Sequence, residues 1–222
     1  MSLIVKICGL STPEALDVAL DAGADMVGFV FFPPSPRNLS FKTAAALESR
    51  VRGQAKKVAL SVDADDTLLA YVVDALGPDI LQLHGRETPS RVAEIREKFG
   101  RPAMKAIGVA TAADFAAAAP YNNAADFLLF DAKPPKGAAL PGGNGRAFDW
   151  RMAQGFSPKR PWLLSGGLDP DNVAEAIAET GAIGVDVSSG VESAPGIKDE
   201  TRIRAFIAAA REAFQRAAEG VE

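Results

Sequence analysis

Eight times along this chain a short apolar, β-branched run is followed by an Ala-, Leu- or Glu-rich stretch of helical period. The strand-like runs are Ile4–Gly9, Ala24–Phe31, Lys57–Asp63, Ile80–Gly85, Ala103–Val109, Asp126–Asp131, Trp162–Gly166 and Val185–Ser189. The helical stretches are Pro13–Ala22, Thr43–Val51, Thr67–Leu76, Pro89–Phe99, Ala112–Ala118, Asp149–Gln154, Asn172–Thr180 and Glu200–Ala218. In the seventh, Val173, Ala176, Ile177 and Thr180 keep the i, i+3, i+4, i+7 rhythm of one buried face. Ser11 or Thr12 before Pro13, Thr88 before Pro89 and Asp169 before Pro170 read as caps with proline in the first turn. Unbroken strand–helix alternation builds a parallel sheet, since parallel neighbours need a crossover. Spread over 222 residues, the units average about 28 each, the compact size of a closed barrel. The expected fold is therefore α/β, a (β/α)8 TIM barrel formed as a single domain over residues 1–222. The alternative, an open doubly wound sheet, should carry GxGxxG after its first strand. That turn reads Cys8-Gly9-Leu10-Ser11-Thr12, with one glycine.

Composition narrows the partners. With 24 Lys+Arg against 28 Asp+Glu the formal charge is −4, and the pI is near 5.2. No basic cluster offers itself to nucleic acid. No apolar run approaches the ~18 residues of a membrane span. The first residues show no cationic segment leading into an apolar run. One cysteine and one histidine exclude an internal disulfide and leave no usual zinc site. A cytoplasmic protein working on a small molecule is expected, with no metal, as a monomer or a homodimer.

Two strand–helix connections are longer than the rest: Phe32 through Ser40, and Lys133 through Ala147. Both follow C-terminal strand ends, the face that carries active sites in such barrels. Strand alternation places Val5 and Ile7 toward the helices and Lys6 and Cys8 inward. By the same parity Gln82 and His84 face inward, Asp131 ends the sixth strand on the side of Phe127 and Leu129, and Asp186 and Ser188 face inward from the eighth. A purely structural barrel would fill these sites with Val, Ile and Leu. Lys6 and Asp186 become neighbours only if the barrel closes, and a buried lysine needs a partner, so closure predicts an ion pair between them.

Ser165-Gly166-Gly167-Leu168-Asp169-Pro170 and Val187-Ser188-Ser189-Gly190-Val191-Glu192 follow strands seven and eight, the recurrent phosphate position of these barrels. Glycine lets backbone amides approach an oxyanion closely. Gly142, Gly143 and Gly145 form a third flexible loop, readable as a lid or as part of the same cradle. Cys8 alone reads as a small buried hydrophobe and Asp131 alone as a helix cap. Together, a thiol and a carboxyl facing one another across a barrel mouth suit an acid/base pair. Lys6, two residues away, would modestly stabilise the thiolate. Arg37, in a proline-stiffened and expectedly exposed loop, is either a solvated arginine or a fork for a carboxylate or phosphate. His84 is either an acid/base or an orienting or substrate-contacting group, and it counts among the substrate-binding candidates. Two rivals stay open: a phosphate-binding barrel lyase using Lys6 or Lys105 as a Schiff-base nucleophile, and a non-catalytic sugar-phosphate-binding barrel.

Lys6-Ile7-Cys8-Gly9, Gly28-Phe29-Val30-Phe31, Ser35-Pro36-Arg37, Gln82-Leu83-His84-Gly85, Asp131 after Leu128-Leu129-Phe130, Gly142-Gly143-Asn144-Gly145 with Phe148-Asp149-Trp150, Leu164-Ser165-Gly166-Gly167-Leu168 and Val185 through Glu192 stand in order along nearly the whole chain. Together they resemble the phosphoribosylanthranilate isomerase family of tryptophan biosynthesis. Small departures are Ser61-Val62-Asp63, where the family more usually ends in a Phe-Val-Asn pattern, and Arg146, where Lys is frequent. The resemblance implies a barrel of the ribulose-phosphate-binding type and an Amadori rearrangement of N-(5-phosphoribosyl)anthranilate without a cofactor. It implies Asp131 as general acid, Cys8 as general base and Arg37 on the anthranilate carboxylate. Backbone amides around Gly143, Gly145, Gly167, Ser189 and Gly190 would hold the phosphate.

Overall fold

The computed structural model describes residues 3–133, 142, 148–153, 155, 156 and 158–219. Eight strands form a closed parallel barrel in chain order: β1 (Ile4–Cys8), β2 (Met26–Phe31), β3 (Lys56–Ser61), β4 (Ile80–Leu83), β5 (Ala103–Val109), β6 (Phe127–Ala132), β7 (Trp162–Leu164) and β8 (Gly184–Val187). Closure aligns Lys6 with Asp186 across β1 and β8. Around the barrel run α1 (Pro13–Asp21), α2 (Phe41–Val51), α3 (Asp66–Leu76), α4 (Pro89–Phe99), α5 (Val173–Thr180) and α6 (Glu200–Glu219).

The helices start where short polar side chains satisfy free amides. Thr12, Ser40, Asp65 and Thr88 accept from the backbone amides of Ala15, Thr43, Leu68 and Arg91. Asp169 behaves differently from the sequence expectation. It caps a turn, accepting from the amides of Asp171 and Asn172, and α5 begins only at Val173. The α5 face is as the periodicity predicts: Val173, Ala176, Ile177 and Thr180 are buried. A fully buried Val or Ile contributes about 1.5–3 kcal/mol, so Ile177→Asp would detach this helix.

Two of the predicted helical stretches are 3-10 segments instead: Ala112–Asn122, with Pro120 inside, and Trp150–Ala153. Pro120 lacks the amide that an α-helix would use there. The structure also adds an antiparallel pair absent from the sequence reading, β9 (Glu192–Ala194) and β10 (Ile197–Lys198). Its turn holds Pro195 and Gly196, a turn-forming dipeptide; Gly196 sits at φ +81°.

The core has two layers. The outer faces of the strands, including Val5, Ile7, Leu81, Leu83, Val185 and Val187, pack against the helices. Inside the barrel, Met26, Val58, Ile80, Met104, Ala106, Leu129 and Leu163 pack together. The inward series then turns polar toward the C-terminal end of the strands. β4 runs Ile80, Gln82 and on to His84; β6 runs Phe127, Leu129, Asp131; β1 runs Ile4, Lys6, Cys8. The apolar plug supports a polar floor, and the floor faces a cavity.

Candidate active site

Cys8, Arg37, Gln82, His84, Asp131, Gly167, Asp186 and Ser189 all line one cavity at the C-terminal mouth of the barrel. Lys6 lies beneath it with no exposed side-chain surface, and its Nζ donates to Asp186 Oδ1 at 2.7 Å. The Ser165 hydroxyl donates to the other Asp186 oxygen at 2.9 Å. The ion pair predicted from closure is present, and the serine satisfies the carboxylate's second oxygen. Burial pulls the Lys6 ammonium down, but Asp186 and Cys8 outweigh it and hold Lys6 above the ordinary lysine range. Burial pushes the Cys8 thiol up, and the opposing pull of Lys6 does not reverse that. The sequence-level expectation that Lys6 favours the thiolate holds in direction, yet desolvation is the larger effect. Gly28 sits opposite: a Cβ there would meet Cys8 Sγ at 2.8 Å, so glycine makes the room for the thiol.

Asp131 ends the polar series of β6. Its Oδ1 accepts from the Ala132 amide at 2.8 Å, and its Oδ2 lies 3.3 Å from His84 Nε2. The other imidazole nitrogen, Nδ1, lies 3.1 Å from the Gln82 amide nitrogen. Gln82, His84 and Asp131 thus form a line along the cavity wall. A Cβ on Gly142 would come within 2.4 Å of Asp131 Oδ2, so this loop glycine packs directly on the acid. β4 ends at Leu83, which makes His84 the first loop residue rather than a strand residue; the His84 amide donates to the Ser61 carbonyl.

The loops after β7 and β8 meet each other. Gly166 and Gly167 have φ of +88° and +69°, values that glycine adopts without strain. A Cβ on Gly190 would fall 1.9 Å from the Leu168 carbonyl oxygen, so the two loops interlock there. Gly167 and Ser189 reach the cavity, while Gly190 braces the loops behind them. Gly143 and Gly145 lie outside the described residues.

Arg37 departs from its expectation as an exposed loop side chain. It is 6% exposed, and its Nε and Nη2 donate to the two Glu192 carboxylate oxygens at 2.7 and 2.8 Å. The long loop after β2 folds inward, Leu39 donating back to Val30, and carries Arg37 under the loop after β8. Lys198 also donates to Glu192 Oε1 at 2.8 Å and to the Ser188 carbonyl at 2.9 Å. These two buried partners were missed in the sequence because they sit in the unpredicted β9–β10 pair.

The chain matches the family model for N-(5'phosphoribosyl)anthranilate (PRA) isomerase over residues 5–209. The chain belongs to the phosphoribosylanthranilate isomerase family. It is 62% identical to the N-(5'-phosphoribosyl)anthranilate isomerase of Nitrobacter winogradskyi over 96% of this chain and 95% of that protein. Its fold is similar to phosphoribosyl anthranilate isomerase from Thermotoga maritima, with TM-score 0.85, 34% identity and coverage of 95% and 99% of the two chains. It is also similar to a phosphoribosyl anthranilate isomerase solved in complex with reduced 1-(o-carboxyphenylamino)-1-deoxyribulose 5-phosphate, with TM-score 0.82, 32% identity and coverage of 95% and 99% of the two chains. Within this isomerase fold the two lysines of the rival lyase reading are engaged elsewhere. Lys6 is bound to Asp186, and Lys105 donates to the Leu83 and Gly85 carbonyls and to Glu87 at 2.8 Å. Neither is among the described residues that line the cavity. Among the described residues no helix is long and apolar enough to cross a membrane.

Proposed function

We propose that this chain converts N-(5-phosphoribosyl)anthranilate to 1-(2-carboxyphenylamino)-1-deoxyribulose 5-phosphate in tryptophan biosynthesis, with Asp131 as general acid and Cys8 as general base. The observation that carries this assignment is that one cavity is lined by both groups, each at the end of a different strand. Asp131 gives a proton to the ribose ring oxygen as the C1–O bond breaks, and the anthranilate nitrogen forms a C=N bond to C1. The Cys8 thiolate removes the proton from C2. The electron pair flows into a C1–C2 double bond and neutralises the nitrogen, giving an enolamine. A proton then leaves the C2 hydroxyl and one arrives at C1, giving the ketone. The substrate nitrogen is the electron sink, so the scheme needs no metal or organic cofactor.

Arg37 receives the anthranilate carboxylate, and backbone amides of Gly167 and Ser189, with those of Gly143, Gly145 and Gly190, receive the phosphate. The enzyme acts in the cytoplasm on this small substrate, as a monomer or homodimer folded as one domain. Because burial raises the Cys8 thiol, kcat/KM should climb as pH rises toward the thiol's ionisation. The direct test is turnover of freshly prepared N-(5-phosphoribosyl)anthranilate by the purified protein. No turnover above the spontaneous rate would overturn the reading, and a flat alkaline pH profile would remove Cys8 from the base role.

A further inference from the structure

Behind Arg37 lies a cluster of charge that does not balance. The side chains of Arg37, Glu192 and Lys198 are 7%, 4% and 1% exposed. Two cations and one carboxylate are therefore shut away together, leaving one positive charge in excess. The Glu192 carboxylate is fully used. Its Oε1 accepts from Arg37 Nε and Lys198, and its Oε2 from Arg37 Nη2 and the Gly196 amide at 3.1 Å. Nearby Lys6 and Asp186 neutralise each other, and Cys8 offsets Lys198 only when it is ionised, which its burial opposes. An uncompensated buried charge is costly unless a counter-ion completes it. Arg37 alone of the three lines the cavity. A pairing that occupies Nε and Nη2 leaves Nη1 as the nitrogen outside the fork. Gly9 allows the side chain to pass, since a Cβ there would meet Arg37 Cδ at 2.5 Å.

We propose that Glu192 and Lys198, carried on the β9–β10 pair, are positioning residues for substrate recognition: Glu192 fixes the Arg37 guanidinium, Lys198 supplies the surplus charge, and the substrate's aryl carboxylate is the anion that completes the cluster. The inference rests on the assignment of Arg37 to that carboxylate. Two charged side chains far from Arg37 in sequence then set the preference for an acidic aryl group, without touching the reacting atoms. Burial, with a smaller effect of Arg37, pulls the Lys198 ammonium below the ordinary lysine range despite the opposing pull of Glu192 and Cys8.

The test compares two ligands by calorimetry: the reduced product analogue with its aryl carboxylate, and the same compound built on aniline, without it. The wild-type protein should prefer the first. Lys198→Met should weaken the carboxylate ligand about tenfold, as expected for one charge-assisted interaction, and leave the aniline ligand within twofold. Glu192→Gln should also weaken only the carboxylate ligand, although it adds net positive charge. In assays both variants should raise KM far more than they lower kcat. Lys198→Gln replaces the Met variant if that protein does not fold. An equal loss for both ligands would make the hairpin merely structural and overturn the proposal. Tighter carboxylate binding by Glu192→Gln would overturn it too. If the wild type shows no preference, the Arg37 assignment itself fails. If Arg37→Ala abolishes the preference while the Lys198 and Glu192 variants keep it, only the present inference fails.

Discussion

The two sides of the cavity are built by different means. On the Cys8 side, ionised groups are buried and find their partners far away in sequence: Lys6 with Asp186, Arg37 with Glu192. On the Asp131 side the partners are mostly near neighbours. Asp131 takes the amide of Ala132, Gln82 reaches His84 two residues on, and a 3-10 segment stands where an α-helix is expected. A buried ion must be paired at once, so the first side exists only when the barrel has closed. The second needs His84 brought to Asp131 from the end of β4, but its other hydrogen bonds are made within a short piece of chain. The base is surrounded by ion pairs that need the closed barrel, whereas the acid has one partner from another strand end, His84, beside local hydrogen bonds.

The largest expected effects are on turnover, and they should fall on both sides alike. Cys8→Ala and Asp131→Asn should each lose ~10²–10⁴ in kcat, the ordinary worth of a general base or acid. Asp131→Asn keeps shape but has no acidic proton to give, so the ring-opened form should fail to build up in a single turnover while affinity for a phosphate analogue is kept. Near-normal turnover in either variant would break the pairing of roles.

Stability should separate the sides. Lys6→Met leaves Asp186 buried without its cation and should cost about 3–5 kcal/mol in denaturant unfolding. Combining it with Asp186→Leu should recover much of the loss, because no charge is then stranded. Alkali should attack the same side. Cys8 keeps its proton longer in the folded than in the unfolded state, so stability falls as pH rises above the ordinary thiol value of 9.0. Lys6, also raised, contributes stability that is whole below 10.5 and is lost as pH climbs through its folded value. Melting followed from pH 8 to 11 should therefore decline in the wild type and decline later in Cys8→Ala. An identical decline in both would detach Cys8 from it.

A smaller effect should come from Gln82. The chain has one histidine, so labelling histidine with ¹⁵N gives the spectrum of His84 alone. With the Gln82 amide donating to Nδ1, the hydrogen belongs on Nε2, directed at Asp131. The wild type should show that tautomer. Gln82→Met should give a mixture and lower kcat about tenfold with KM little changed, a supporting group's usual share. A pure Nδ1–H tautomer in the wild type would reverse the direction of the line.

The legibility of the fold follows the same division. Strand parity placed Lys6, Cys8, Gln82 and Asp186 on the inner face because each β-strand has a fixed period and the apolar residues between them mark the outer face. Closure then made the Lys6–Asp186 pair predictable. Arg37 was legible as a site candidate but not as a buried one: its partner lies 155 residues on, and no local pattern announces a fold-back of the loop after β2. Glu192 stood within a motif that carried the family resemblance, yet its use depended on Lys198 and on the Pro195-Gly196 turn, whose strands are three and two residues long. Pieces that short give no periodicity to read. The 3-10 segment before β6 reads as a helix because its alanines favour one, and Pro120 lacks an amide to donate only in its last turn.

The smallest expected effect lies at the start of that segment. Asp114 Oδ2 accepts from the amides of Ala110 and Thr111 at 2.9 and 2.8 Å and from the Thr111 hydroxyl at 3.1 Å. Mainly the Ala110 amide, against a weaker opposing effect of burial, brings its carboxyl from 3.8 down to about 2. A depressed carboxyl contributes stability that is present above its unfolded value and lost as pH falls through its folded one. Asp114→Ala should accordingly cost about 1 kcal/mol at neutral pH, the ordinary worth of such a cap. The difference from wild type should shrink between pH 4 and 2 and vanish below. kcat should not move: the ion pair of Asp114 with Lys133 at 3.4 Å is lost along with the local bonds, but Asp131 keeps its own anchors in Ala132 and His84. A large loss of kcat would mean that the acid side is held as globally as the base side, and the contrast between them would fall.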